Sequence, residues 1–400
     1  MINSLTLIAG SFISKLIPLA FGIFLVNYYG AASYSLFLQL IVFSNFLVVL
    51  STVSYTPIIL SSQNTTHVKN KLCHQAMNFS MLVATLGSGV FLFTHLDNTN
   101  NAIELISSML FVSLYSFGLS LTHITVAKFN SESNHGLAGI IISISIIIPY
   151  LATIILSKWF SHQLSINYLF LSILVLLFGL FFFKKYISLS NRTFYYLKES
   201  LPKSSSHIYL LIFSGGIMFS HYYLLNTANS PRVLSEASLT LGVGLQLFSI
   251  IIFLPGTLAN IIIPRLSKNK SSNDFKVLFL LYFIIAVSLS SFIYMFLDYI
   301  FGYYTIESNK DNKLIILLIL FSAILASVSA LLFQYLTSYK KYSVMAFSSV
   351  VFLFVILLFS KYYAESIVSL SYTFLTAYIV AFIINLTGFL FHSRSHSKVS

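Results

Sequence analysis

Charge is what this sequence lacks most. Only 8% of its 400 residues are Asp, Glu, Lys or Arg, where a water-soluble domain carries roughly 25%. Such a chain cannot cover a soluble surface, and a hydrophobic content of 57% places it in a bilayer. Acids are the scarcer sign, ten Asp and Glu against 22 Lys and Arg, for a net charge of +12. In a membrane protein that excess reads as basic loops that orient helices, so no nucleic-acid partner is expected. Cys73 is the single cysteine, which excludes an internal disulfide and a cysteine-based metal site. There is no Gly-x-x-x-x-Gly-Lys-Ser/Thr phosphate loop, no His-Glu-x-x-His and no Gly-x-Ser-x-Gly. Long loops are missing too, which leaves no room for a soluble catalytic domain. The expectation is a transporter rather than an enzyme, with no cofactor and no metal.

What is present is a series of long apolar windows. They fall at about 5–28, 36–60, 75–96, 103–127, 137–157, 167–186, 207–227, 237–265, 276–299, 313–337, 342–360 and 367–391. A helical span needs roughly 20 apolar residues, so twelve spans take about 240 of the chain. The first window has no basic leader and no small-x-small cleavage site, and it is read as helix one. The expected fold is therefore an all-α polytopic membrane protein of about twelve transmembrane helices.

Orientation follows from the basic residues. With a cytoplasmic N-terminus, sixteen of the 22 Lys and Arg fall in inside loops, five in outside loops, and Lys15 remains within helix one. The acids run the other way, three inside and seven outside. This positive-inside asymmetry predicts that both termini are cytoplasmic.

The longest inside loop, 187–206, lies between helices six and seven and reads as a linker between two six-helix halves, 1–186 and 207–400. Helix two carries Gln39 and, 18 residues on, Pro57. Helix eight carries Gln246 and, 18 residues on, Pro264, at a common offset of 207. At the same offset Lys15 maps onto Tyr222, beside His221. These matches support an internal repeat of the kind that relates transporter halves around a central cavity.

Lys15 is the most informative residue. It lies about 15 Å by helical rise from either end of its span, beyond the reach of a snorkelling side chain. A lysine at that depth costs roughly 2.5–3.5 kcal/mol on insertion scales and should face an aqueous cavity or a partner. No acid occupies a midplane, so the cation points to an anionic substrate. His221 and His123 are candidates for hydrogen bonding or titration near neutral pH. Gln39, Asn45, Gln246, Asn226, Asn260, Gln334 and Asn385 are span amides, which bridge helices or meet substrate hydroxyls. Lys15, His221, Gln39, Gln246 and Asn45 form the candidate substrate-binding set. Pro18, Pro149, Pro255 and Pro264 fall within spans. Pro57, Pro255 and Pro264, with Gly242 and Gly244, form the candidate kink and gating set.

Two stretches carry a family resemblance. Leu25-Val-Asn-Tyr-Tyr-Gly-Ala-Ala-Ser-Tyr-Ser-Leu-Phe37 resembles the helix one to helix two turn of polysaccharide flippases, with Ser35 in place of a second glycine. The run from Leu241 to Ser267, with its glycine-led start, Pro255 in mid-helix and the terminal Pro264-Arg-Leu-Ser267, is similar to the helix-eight signature of the multidrug/oligosaccharidyl-lipid/polysaccharide exporter superfamily. Length, span count and short loops fit its O-antigen flippase branch. The resemblance implies a flippase of undecaprenyl-pyrophosphate-linked oligosaccharide units. These would move from the cytoplasmic to the periplasmic leaflet of a bacterial inner membrane by alternating access. It also implies contacts with membrane lipids, with an O-antigen polymerase and with a chain-length regulator. Family members are thought to couple transport to an ion gradient, yet no midplane carboxylate is available here as a proton carrier. The alternatives are an O-antigen polymerase, which would carry a large arginine-bearing outside loop, and a drug or metabolite antiporter of the same superfamily. A peptidoglycan-precursor flippase would typically have fourteen spans.

Overall fold

A computed structural model describes residues 2–61, 66–95, 102–158, 164–187, 205–228, 237–268, 274–363 and 366–397. Among the described residues there is no strand, and twelve helices or helix pairs are long and apolar enough to cross a membrane. The chain divides into two compact units, Met1–Leu211 and Ile212–Ser400. The expected linker at 187–206 lies almost wholly outside the described residues.

The first unit holds α1 (Ile2–Tyr29), α2 (Ala31–Val53), α3 (Thr56–Ser61), α4 (Thr66–His95), α5 (Ala102–Ser131), α6 (His135–Ser157) and α7 (Leu164–Tyr186). α8 (Ser205–Ala228) follows, and the unit boundary falls within it. The second unit continues with α9 (Ala237–Ile251), α10 (Phe253–Lys268), α11 (Asp274–Met295), the short α12 (Leu297–Tyr303), α13 (Lys310–Ser338), α14 (Tyr342–Tyr363) and α15 (Ile367–Ser397).

With lipid around them these helices gain nothing from hiding apolar faces, so close approach and internal hydrogen bonds hold them together. α1 meets α6 where Gly10 faces Gly139; a Cβ on Gly139 would run into the backbone of Thr6 and Leu7. α5 meets α7 through Gly118 and Gly179, backbone against backbone. In the second unit Gly216 of α8 lies against Ser349 of α14, whose hydroxyl donates to the Phe213 carbonyl at 2.8 Å. First and fifth spans thus pack through small residues in both units. Many hydroxyls inside helices bond their own backbone, as where Ser116 donates to the Val112 carbonyl at 2.6 Å.

Two expected single windows are broken. The window 36–60 becomes α2 and α3, with a turn at Ser54 and Tyr55 two residues before Pro57. The window 237–265 becomes α9 and α10, with a turn at Ile252 three residues before Pro255. Proline lacks an N–H and its ring crowds the preceding turn, so each break falls just ahead of one. This corrects the pairing of Pro57 with Pro264. Pro255 is the structural counterpart of Pro57, and α10 runs through Pro264. Pro18 and Pro149 sit inside unbroken helices. The window 276–299 also divides, into α11 and α12.

Candidate substrate-binding site

Lys15 sits in the middle of α1. At about 100° per residue, the buried positions Leu7, Gly10, Ser11, Ser14, Phe21, Gly22, Leu25 and Val26 share one arc of that helix. Lys15 falls within the same arc, yet its own side chain is exposed. Leu5, Ile13 and Ala20, the exposed positions that suit lipid, lie on the other side. Lys15 is thus an exposed charge on the arc that otherwise packs against protein, and it shares that arc with the small residues Ser11, Ser14 and Gly22. Among the described residues no hydrogen bond or ion pair engages it, and the titratable side chain within electrostatic range is His123 of α5.

His123 is half-buried. One turn before it, Ser120 shares a hydrogen bond of 3.0 Å with Ser51 of α2, tying α5 to α2 just ahead of the α2–α3 break. Gln39 and Asn45 of α2 are both half-buried in this unit. Towards the α1–α2 turn an aromatic cluster packs this unit. Phe21 meets Phe37 and Tyr150 edge-on, with centroids 5.1 and 5.2 Å away. The Tyr115 and Tyr150 hydroxyls share a bond of 3.0 Å, and Tyr168 donates to the Ser33 carbonyl at 2.9 Å. Phe21 lies six residues beyond Lys15, about 9 Å along the axis.

The second unit surrounds His221 with rings. Phe248 of α9 and Phe374 and Tyr378 of α15 lie with centroids 5.4, 5.1 and 6.4 Å away. The imidazole Nε2 shares a hydrogen bond with the Tyr378 hydroxyl at 3.0 Å. This pairing spans 157 residues, and no local pattern announces it. Gln246 accepts from the Tyr304 hydroxyl at 3.3 Å, joining α9 to the end of α12. Gly242 and Gly244 are buried, and Gly244 lets Ile319 of α13 approach α9 closely. Gln334 of α13 donates to the Pro255 carbonyl at 2.9 Å and accepts from the Tyr282 hydroxyl at 3.2 Å. Asn385 donates to Ser348 at 2.8 Å. Several span amides are thus interhelical ties. The Pro264 side chain lies outside the described residues.

The candidate set is therefore distributed. Lys15, His123, Gln39 and Asn45 belong to the first unit, and His221 and Gln246 to the second.

Helix ends carry a device that no sequence pattern announced. Lys69 of α4 donates to the Ser131 carbonyl at the end of α5, at 3.2 Å. Lys128 of α5 donates to the Tyr186 carbonyl at the end of α7, at 2.7 Å. Both lysines are buried, at 9% and 6% exposure, and neutralise the negative end of a neighbouring helix. Among the described residues no cluster of three or more His, Cys, Asp or Glu side chains is placed to hold a metal ion.

Solved structures place this architecture. A mutant form of a Vibrio cholerae MATE transporter superposes with a TM-score of 0.70 at 11% identity, over 98% of this chain and 97% of that one. The fold is that of the MATE transporters. An outward-facing multidrug resistance MATE transporter of the MOP superfamily matches with a TM-score of 0.64 at 12% identity, over 99% and 96% of the two chains. A MOP superfamily transporter from Pyrococcus furiosus, described as having a binding pocket of reverse polarity and a different function, matches with a TM-score of 0.54 at 12% identity, over 98% and 95%. No protein-family model and no curated protein matches the sequence. The MATE fold has two halves, and this chain's twelve spans and two compact units agree with it.

Proposed function

We propose that this chain is a secondary transporter that moves an organic anion out of the cytoplasm by alternating access, with both termini cytoplasmic. One observation carries the substrate charge. Lys15 is exposed within the protein-facing arc of α1, and among the described residues no carboxylate is bonded to it. A cation carrier would place the opposite sign there. The MATE fold supports membrane transport over polymerase chemistry, and the neighbour described as a multidrug resistance transporter favours an exporter of drugs or metabolites. The neighbour of reverse pocket polarity supports reading this site's sign as a cue to a substrate of opposite charge.

Within that class the sequence resemblance supports a lipid-linked oligosaccharide, whose pyrophosphate would meet Lys15 while its prenyl tail stays in lipid. Deletion of the gene in its host, with surface polysaccharide resolved on a gel, separates the two readings. Bare core with lipid-linked units retained inside supports the lipid-linked substrate. An unchanged ladder with intracellular retention of anionic dyes supports the drug or metabolite exporter. Core plus one unit would mean a polymerase and would sink both. Lys15→Ala removes a charge-assisted contact of about 1.5–3 kcal/mol. Substrate affinity should fall about 10- to 150-fold at unchanged membrane abundance, and wild-type transport in that variant would remove Lys15 from the site.

A further inference from the structure

Lys15 has a consequence for the energy source as well as for the substrate. Among the described residues it is the one charged side chain placed away from helix ends. Glu104, Glu132, Asp298, Glu307 and Asp311 all lie at helix termini or in turns. Exchange for a proton or sodium ion needs a group that binds the cation and releases it when substrate arrives. A carboxylate does this; an ammonium repels the cation. The titratable neighbour, His123, lies within range of that same ammonium.

We propose that the membrane potential drives transport directly, through the charge of Lys15, without a counter-transported ion. The inference rests on the reading above that the site takes an anion. The empty site carries one positive charge, and a bound monoanion cancels it; a dianion reverses it. With the cytoplasm negative, the potential draws the empty site back to its cytoplasm-facing state. It never opposes the outward step of a loaded site that is neutral, and it assists one that is negative. Anion then accumulates on the positive side. One charge crossing 100 mV shifts an equilibrium about 50-fold. Lys15 would cross only part of the field, so a several-fold dependence is expected.

The test uses the full chain in proteoliposomes. Voltage steps applied without substrate should evoke a transient charge movement in the wild type. It should vanish in Lys15→Gln and persist in Lys15→Arg, which keeps the charge and controls for folding. Flipping of a fluorophore-tagged prenyl pyrophosphate, followed with a membrane-impermeant quencher, should rise several-fold under a potassium diffusion potential. It should not respond to pH or sodium gradients at clamped voltage. Charge movement that is absent from the wild type or unchanged in Lys15→Gln overturns the proposal, as does flipping that follows a pH or sodium gradient alone. If the probe stays put while the Lys15-dependent charge movement is present, the choice of substrate fails and the electrical role stands.

Discussion

Gln334 shows how one amide serves two needs inside a bilayer. Gln334 donates to the Pro255 carbonyl at the start of α10, just past the break in the eighth span, and also accepts from Tyr282. It is buried at 3% exposure, with Leu331, Leu332 and Tyr335 of the same helix forming an apolar core around Tyr282. Gln334→Leu keeps the volume, removes both bonds and leaves the buried Tyr282 hydroxyl without its acceptor. An orphaned buried hydroxyl costs about 1–3 kcal/mol, so thermal unfolding in detergent should show a clear drop in midpoint. An unchanged midpoint would mean that Gln334 does not tie these helices. His221 makes the same point with one bond, held among Phe248, Phe374 and Tyr378.

At the scale of the elements, three tight helix ends share a construction. After α5, α12 and α13 the chain closes with Ser133, Thr305 and Lys340 in the left-handed region, at φ of 62°, 55° and 56°. In each, the next residue's N–H returns to a carbonyl five positions back, as Asn134 does to Phe129 at 2.9 Å and Lys341 to Leu336 at 2.8 Å. Glycine would hold that conformation without the side-chain penalty of roughly 1–2 kcal/mol. Ser133→Gly should therefore stabilise by about 0.5–1 kcal/mol once the greater freedom of the unfolded chain is deducted. A lower melting temperature in that variant would refute this account of the turn. The turn after α12 also carries a pH dependence. Ser308 and then Lys313 hold the exposed Asp298 carboxyl below its usual range. The ionised form is favoured in the folded state, so its contribution is complete above the ordinary carboxylate pKa. It is lost as pH falls through the lowered folded value. Asp298→Asn should flatten this acid limb of the stability profile and leave the neutral-pH limb in place.

For the whole molecule, the arrangement within each unit is set by small residues at helix crossings. Gly10 against Gly139 and Gly118 against Gly179 bring backbones together in the first unit, and Gly216 against Ser349 does so in the second. The orientation in the membrane is predicted from loop charge rather than from packing. Sixteen of 22 basic residues fall on the side of the termini, so reporter fusions after Ser400 and at Lys340 should both read cytoplasmic. A fusion at Gly30 should read external. Opposite readings at Ser400 and Lys340 would overturn the topology argued from loop charge.

Composition and hydropathy were enough to establish a membrane protein of twelve spans, because a bilayer admits one kind of helix and its length and apolarity are local properties. They were also enough to single out Lys15, because a lone charge far from both helix ends has few uses. The tertiary structure alone decided which face of α1 carries Lys15 and how close His123 stands. It also decided that the eighth span breaks ahead of Pro255 and not at Pro264. The partners of the polar groups were illegible for a physical reason. Gln334 reaches Pro255 across 79 residues and His221 reaches Tyr378 across 157. Such bonds depend on which helices lie side by side, and that is settled by small-residue crossings that an apolar pattern does not display.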